Sequence, residues 1–218
     1  MFSKNLAAVT VAAVFSLANF ANAAVTVVSN TSSITIYEDQ TQFATAAGRL
    51  GTDSFDDLTF GDQGIAAVRQ AGSESYTIAA GQGLWGSEYA GNRYLSSADS
   101  SDLLLFSGFS AATRGLGGTF FGSNDNGEPV ARGAINVTVT DATGVLVLTV
   151  SGGIGQGFVG FLSTAAVQAM TLQAQAPDRY FPSVDDIRIA APVPEPSTAA
   201  MMLMGAAVLP LLRRRKGK

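Results

Sequence analysis

The stretch that decides the fold is Ile135-Asn136-Val137-Thr138-Val139-Thr140, followed by Asp141-Ala142-Thr143-Gly144 and by the run from Val145 to Val150. In the first segment, apolar residues at odd positions alternate with polar residues at even positions, which is the period of a half-buried β-strand. The Asp-Ala-Thr-Gly segment places turn-forming residues between two strand-like runs. We therefore expect an antiparallel hairpin with one face in a hydrophobic core.

Short β-branched or aromatic runs recur on both sides of this hairpin, at a spacing of roughly 8–12 residues that is typical of β-sandwiches and barrels. The last run is Val184 to Ile189, in which Ile187 and Ile189 flank an outward Arg188. We predict a mostly β fold, an antiparallel two-sheet sandwich of jelly-roll type. The predicted strands are residues 25–28, 34–36, 53–58, 64–68, 75–79, 92–95, 102–106, 117–121, 134–140, 145–150, 157–162, 169–173 and 184–189.

One short helix is predicted near the start of this body, from Asp39 to Gly48. Asp39 is a good N-cap residue, and Gly48 suits the position just after a helix end. Phe43 and Ala47 lie four residues apart and so share one face of the helix.

The first 23 residues have the parts of a secretory signal peptide. Lys4 supplies the positive start, Leu6 to Ala18 is a largely apolar run, and Ala21-Asn22-Ala23 offers small residues at both positions of an A-x-A cleavage site. The run spans about 20 Å as a helix, well short of a hydrocarbon core of about 30 Å. We expect export across a membrane and cleavage after Ala23.

The C-terminal residues of the sequence have the parts of a second targeting signal. A proline-rich stretch begins at Pro192, an apolar run follows from Ala199 to Leu212, and basic residues from Arg213 to Lys218 come last. By the positive-inside rule the basic residues stay in the cytoplasm. The apolar run is short for a membrane span and contains Pro210, so it suits a sorting signal that is read and removed, although a permanent single-pass anchor is the alternative.

This tripartite tail resembles the PEP-CTERM sorting signal of Gram-negative bacteria, a segment also called an ice-binding protein C-terminal domain. The resemblance implies recognition by an exosortase, a membrane-embedded cysteine transpeptidase, with cleavage near the Pro-Glu-Pro and passage through the inner membrane to the envelope, surface or medium. It implies domains at 1–23 (signal peptide), 24–192 (body) and 193–218 (sorting signal). The residues that match the family motif are Pro194, Glu195, Pro196, Arg213, Arg214 and Arg215.

The body is similar to the lectin-like β-sandwiches that are common among PEP-CTERM proteins. The similarity rests on the helix 39–48, the segment Ser54-Phe55-Asp56-Asp57-Leu58, glycine-rich strands, Phe158-Val159-Gly160-Phe161 and the closing Ser183-Val184-Asp185-Asp186-Ile187. It implies that the penultimate segment lies in one sheet and that the last strand, with Val184-Asp185-Asp186, closes the other. Some such relatives bind glycans, often with calcium.

Composition excludes several classes of site. The chain has no cysteine and no histidine, which removes disulfides, thiolate and imidazole metal sites, a cysteine nucleophile and the Ser-His-Asp triad. Residues 24–192 contain seven arginines, no lysine and 16 acidic residues, a net charge of 7 − 16 = −9. Such a surface repels phosphates, so we expect no nucleic-acid partner.

Acidic residues supply the candidate metal sites. If strands alternate regularly, one aspartate of each doublet, Asp56-Asp57 and Asp185-Asp186, faces inward, where a carboxylate needs a partner. Our hypothesis is that Asp57 and Asp185 or Asp186 approach one another and share a cation, with calcium as the candidate, or an arginine such as Arg188; solvated strand ends are the alternative. The oxygen-rich loop Asn124 to Glu128 is a second calcium candidate, or a plain hairpin tip.

Aromatic residues supply the candidate sugar contacts, since aromatic faces suit the apolar faces of sugars. Trp85, Tyr89 and Tyr94 surround Glu88 in a short stretch, although such aromatics also serve as core. Gly155 to Gly160 matches the dinucleotide motif G-x-G-x-x-G, but the surrounding strand pattern does not build a βαβ unit, and glycines at bulges or turns explain it better.

We therefore expect a non-enzymatic, exported protein whose sandwich binds carbohydrate or exopolysaccharide, or serves structurally in the extracellular matrix. The alternative is a secreted polysaccharide hydrolase with a carboxylate pair drawn from Glu74, Glu88 and Glu128. An apolar, threonine-rich flat face would favour ice or another solid surface.

Overall fold

The structure, a computed structural model, describes residues 24–130, 133–151, 157–176 and 180–191. The predicted signal peptide, the Pro-Glu-Pro motif and the tail, whose apolar run is predicted to be helical, lie outside these ranges, as do Gly155 and Gln156.

The described chain is almost entirely β. It contains one helix, α1 (Gln40–Ala47). In chain order, the strands are β1 (Ala24–Asn30), β2 (Ile34–Tyr37), β3 (Leu50–Asp53), β4 (Gly61–Asp62), β5 (Ala66–Ala71), β6 (Glu74–Ala79), β7 (Leu84–Tyr89), β8 (Asn92–Ser97), β9 (Leu103–Ser107), β10 (Gly115–Ser123), β11 (Ala134–Asp141), β12 (Val145–Ser151), β13 (Phe158–Ser163), β14 (Val167–Ala174) and β15 (Phe181–Ala190).

The strands form two antiparallel sheets. The seven-stranded sheet has the order β1-β12-β11-β14-β9-β6-β5, and the eight-stranded sheet has the order β2-β13-β10-β15-β8-β7-β4, with β3 paired beside β15. The predicted two-sheet antiparallel sandwich is confirmed. The lectin-like resemblance implied that the last strand closes a sheet and that the segment quoted before it, Phe158–Phe161, lies in the other sheet; instead, β15 is a central strand and shares its sheet with β13, while β14 lies in the other sheet.

The hairpin predicted at residues 135–150 consists of β11 and β12, which pair with Thr140 opposite Val145. The backbone N–H of Asp141 donates to the carbonyl oxygen of Gly144 at 3.0 Å and closes the turn. Alternation holds along β11, where Ile135, Val137 and Val139 are fully buried between the sheets. The core therefore lies between the two inner faces, as in other aligned sandwiches.

Helix α1 covers one end of the eight-stranded sheet. The Asp39 carboxylate accepts from the N–H of Gln42 at 2.8 Å, and Gly48 ends the helix with φ 74°, as predicted. Phe43 is fully buried against β13, where a Cβ on Gly160 would lie 2.5 Å from the Phe43 ring. Within the described ranges, no helix has both the length and the hydropathy that a membrane crossing requires.

The prediction of a strand at residues 53–58 is wrong. The strand β3 ends at Asp53, and the chain turns at once because Phe55 adopts φ 59° to reach the core, where it is fully buried. An apolar residue buried from a turn produces the same local sequence pattern as one buried from a strand.

Candidate functional site

A groove of about 230 Å³ lies on the outer face of the eight-stranded sheet. Its lining comes from five parts of the chain that are distant in sequence. One side is aromatic, from Phe60 and Trp85; the floor carries serine hydroxyls; the other side is the loop Asn124–Gly127, with Phe181 also in the lining.

The aromatic side pairs two exposed rings. Trp85 on β7 is 37% exposed and Phe60 is 68% exposed, and their ring centroids lie 6.0 Å apart at an interplanar angle of 81°. The segment that carries Phe60 crosses β7 at Gly86, where a Cβ would lie 2.2 Å from the Thr59 carbonyl oxygen. Glycine at 86 thus permits the close approach that sets Phe60 beside Trp85.

We call Ser87, Ser96 and Ser123 the serine floor. Ser96 on β8 lies opposite Trp85 on β7 and opposite Ser183 on β15, so these side chains share one face. The Ser123 and Ser183 hydroxyl oxygens are 2.8 Å apart, and those of Ser87 and Ser96 are 3.4 Å apart. The floor is therefore polar, and each hydroxyl can donate or accept a hydrogen bond.

The loop side is held rigid by its own hydrogen bonds. The Asn124 side-chain oxygen accepts from the N–H of Asn126 at 3.0 Å and of Glu128 at 2.8 Å, while its amide donates to the Glu128 carboxylate at 2.9 Å. The loop is a hairpin tip, with Gly127 at φ 76°. Within this candidate calcium loop, the side chains of Asn124 and Glu128 are hydrogen-bonded to each other.

The three predicted sugar contacts have different positions. Trp85 lines the groove, and Tyr89 is 42% exposed on the same strand but outside the lining. Tyr94 is fully buried, its hydroxyl donates to the Gly127 carbonyl oxygen, and its ring packs edge-on against Phe121. Burial raises the pKa of Tyr94. Tyr94 therefore has no exposed ring face, and its hydroxyl supports the loop.

Sequence reasoning missed Phe60 and the serine floor. The alternation Trp85-Gly86-Ser87-Glu88-Tyr89 places Trp85, Ser87 and Tyr89 on one face of a strand, which was a usable local signal. Phe60, Ser96 and Ser123 join that face only through strand pairing and the crossing at Gly86.

The first candidate metal ligand, Asp57, is bound to Arg69. Two guanidinium nitrogens of Arg69 donate to Asp57 at 2.6 and 2.9 Å, and two donate to the buried Asp53 at 2.6 and 2.9 Å. The Tyr76 hydroxyl also donates to Asp53 at 2.8 Å. The hydrogen bonds from Arg69 lower the pKa of Asp57. The arginine partner is thus Arg69, where Arg188 had been suggested.

The other two candidates sit at a β-bulge. The register of β15 against β10 shifts here, and Asp186 takes φ 53°, a conformation that Asp tolerates. Both Val184 and Ile187 therefore reach the core although they are three residues apart. Regular alternation, on which the inward-aspartate hypothesis rested, does not hold at this doublet.

Each of these aspartates has its own partner. Asp185 accepts from the Asn92 amide at 2.7 Å, and Asp186 lies 3.5 Å from an Arg188 nitrogen. Burial raises the pKa of Asp185 to about 6, with the Asp186 charge adding to the effect. Among the described residues, no three acidic side chains gather in a way that could hold a metal ion.

The described glycines of the G-x-G-x-x-G motif are packing positions. Gly157 lies against the Phe120 backbone, and Gly160 lies against Phe43. They lead into the strand β13, so no helix opens at them as a dinucleotide site requires.

Comparison with known proteins gives three findings. No curated protein matches the chain significantly. Among solved structures, the crystal structure of exo-beta-1,3-galactanase from Phanerochaete chrysosporium with galactose is similar to 65% of this chain, at 14% sequence identity and a TM-score of 0.31; the match covers 29% of that protein's chain.

A family model, the PEP-CTERM protein-sorting motif, matches residues 192–216. The match includes the Pro-Glu-Pro at 194–196 and the arginines at 213–215, and it supports an exported protein that an exosortase sorts to the cell envelope. The chain is thus a protein that carries a PEP-CTERM protein-sorting motif.

Proposed function

We propose that this chain is an envelope or extracellular matrix protein whose β-sandwich binds a neutral carbohydrate in the groove between Trp85 and the loop Asn124–Gly127. The observation that carries the proposal is the exposed Trp85–Phe60 pair beside the serine floor. Apolar sugar faces stack on aromatic rings, while sugar hydroxyls need partners that both donate and accept.

Preorganisation supports binding. The floor serines are almost fully buried, and Asn124 is fixed by three hydrogen bonds within its loop. Groups that are already ordered lose little conformational entropy when a ligand arrives. The groove of about 230 Å³ is smaller than the roughly 300–1,000 Å³ of sites for drug-sized ligands, so it suits one sugar ring or a chain end.

Charge favours a neutral sugar. The groove contains Asp125, and residues 24–192 carry a net charge of 7 − 16 = −9. An acidic polysaccharide would meet a like charge at the loop and across the domain.

The groove supports binding better than hydrolysis. A glycosidase needs two carboxylates about 5–9.5 Å apart across the substrate. Asp125 is the one carboxylate in the described lining. The two nearby glutamates lie outside it: Glu88 pairs with Arg93 at 3.2 Å, and Glu128 is bound to Asn124. Glu74 lies on β6 in the other sheet.

A glycan array tests the binding. The exported protein is screened with calcium and again with a chelator, together with the variants Trp85→Ala and Tyr89→Ala. We expect binding of a neutral glycan that Trp85→Ala reduces at least tenfold. Tyr89→Ala, which removes an aromatic side chain of similar exposure on the same strand, should leave binding within twofold. Equal losses in both variants, or no bound glycan, would refute the proposal. Loss on chelation would add calcium to it.

The sorting proposal is that signal peptidase cuts after Ala23 and that an exosortase later removes the tail near Pro194-Glu195-Pro196. Replacing these three residues with alanine in the producing cells should leave an uncut precursor in the inner membrane. Replacing Ser197 and Thr198 with alanine is the matched control, with normal processing expected. Immunoblots of fractionated cells report both, and normal processing of the triple variant would exclude the proposed signal.

A further inference from the structure

The outer face of the seven-stranded sheet has no charge at any outward position of its described strands. One row in register crosses six strands and consists of Val147, Thr138, Thr171, Leu105, Ala79 and Ala66. Rows on either side hold threonine, valine, serine, asparagine, glutamine and leucine.

The charged residues of these strands point away from this face. Arg69, Glu74 and Asp141 each share the alternation of a neighbouring buried residue, and Arg69 and Asp141 make their contacts on that side. Apolar side chains are exposed on the outer face in their place, with Val68 at 74% and Leu103 at 38%.

The uncharged face contrasts with the rest of the domain. Residues 24–192 carry 16 acidic side chains against seven arginines, and none of these 23 projects from this face within the described strands. Two copies that approached through other surfaces would bring like charges together. Through this face they meet without charge repulsion.

The area is sufficient for a dimer. Six spacings between strands of about 4.8 Å give a width of about 29 Å, and six residues at about 3.4 Å give about 20 Å along the strands. The face therefore covers about 600 Å² per copy, or about 1,200 Å² in total, which is the lower end of the range for stable interfaces.

We propose that the seven-stranded face docks a second copy of this chain, face to face. Identical faces related by a twofold axis are self-complementary, and sheets pack in this way about 10 Å apart in β-sandwiches. A regular solid surface would favour one residue type repeated from strand to strand, whereas this row changes among valine, threonine, leucine and alanine.

Cysteine cross-linking tests the contact between two copies of the exported protein at the surface of the cells that produce it. Since the chain has no cysteine, a single introduced thiol reports only contact with another molecule. Thr171→Cys lies on β14, the central strand, and Thr35→Cys lies exposed on the edge strand of the other sheet. We expect a short bis-maleimide to yield dimer from Thr171→Cys and little from Thr35→Cys. Equal yields, or none from Thr171→Cys, would overturn the proposal.

A charge pair provides the second test, by sedimentation of protein released from the cells. Thr171→Asp should weaken self-association at least tenfold because two like charges meet near the axis, and Thr171→Ser should not. Mixing Thr171→Asp with Thr171→Lys should restore a mixed dimer, which shows that both variants are folded. A monomer at every concentration, or a monomer that binds ice or insoluble polysaccharide through this face, would overturn the proposal.

Discussion

The hydroxyl of Tyr94 donates a hydrogen bond to the carbonyl oxygen of Gly127, and this contact joins the sheet to the loop that forms one side of the groove. Both residues are buried, and Phe121 packs edge-on against the Tyr94 ring at a centroid distance of 5.0 Å. Gly127 in turn lies against Ser87 of the serine floor. The position of the loop relative to Trp85 therefore depends on a fully buried residue.

We predict that Tyr94→Phe weakens glycan binding about threefold to tenfold and lowers the free energy of unfolding by about 1–2 kcal/mol, because the buried carbonyl of Gly127 loses its partner. Hydrogen exchange of residues 125–127 should quicken. Tyr89→Phe, which alters an exposed hydroxyl on the neighbouring strand, is the control and should change neither quantity. Unaltered exchange in Tyr94→Phe would show that the loop is held by its own hydrogen bonds alone.

From the raised pKa of Asp185, we predict that its contribution to the free energy of unfolding falls as the pH rises. Burial raises its pKa from 3.8 to about 6, so between these values the folded protein binds more protons than the unfolded chain. The stabilisation is complete below pH 3.8 and is lost as the pH rises through about 6. We predict that Asp185→Asn raises the free energy of unfolding at pH 7 by about 1–2 kcal/mol, since Asn92 can turn its amide to keep the contact.

Urea titrations at pH 4 and pH 7 measure this effect. The gain of Asp185→Asn should vanish at pH 4, where the wild-type carboxyl is mostly protonated. The matched variant is Asp186→Asn, in which the side chain is 41% exposed and the left-handed backbone accepts asparagine. It should change stability by less than about 0.5 kcal/mol at either pH. A gain from Asp185→Asn that is equal at both pH values would contradict the titration.

For Asp141 we predict the opposite pH dependence of the free energy of unfolding. Burial raises its pKa, but hydrogen bonds from Ser163, Thr143 and Gly144 outweigh burial and hold the pKa well below its ordinary value. The contribution is present above pH 3.8 and is lost as the pH falls toward the folded-state pKa. The carboxylate joins the β11–β12 turn to Ser163 at 2.6 Å and Ser33 at 3.2 Å, and so ties the two sheets together.

We predict that Asp141→Asn lowers the free energy of unfolding by about 1–3 kcal/mol at pH 7, because charge-assisted hydrogen bonds become neutral ones. The difference should shrink toward pH 3. Asp125→Asn, on the exposed loop, should leave stability unchanged at both pH values. Denaturant midpoints across this range decide the matter, and a difference that grows as the pH falls would exclude the proposed role.

Local features of the fold could be predicted from the sequence, whereas the groove could not. The Asp39 cap, the Gly48 stop and the Asp141–Gly144 turn act within a few residues, so their sequence patterns suffice. The groove joins residues near positions 60, 85, 96 and 123, whose meeting depends on strand order. The bulge at Asp186 likewise depends on the register of β15 against its partner strand β10, and the Asp185-Asp186 doublet alone does not reveal that register.

Arg69 carries the last prediction, because it lies between one buried and one exposed carboxylate. Arg69→Met leaves Asp53, which is 5% exposed, with only neutral donors from Tyr76 and Phe55, and should cost about 3–5 kcal/mol. Asp57→Asn alters a side chain that is 71% exposed and should cost at most about 1 kcal/mol. Adding Asp53→Asn to Arg69→Met should recover part of the loss, since it removes the unpaired charge. Urea unfolding of the four proteins tests this order, and equal costs for Arg69→Met and Asp57→Asn would mean that the buried pair contributes no more than a surface one.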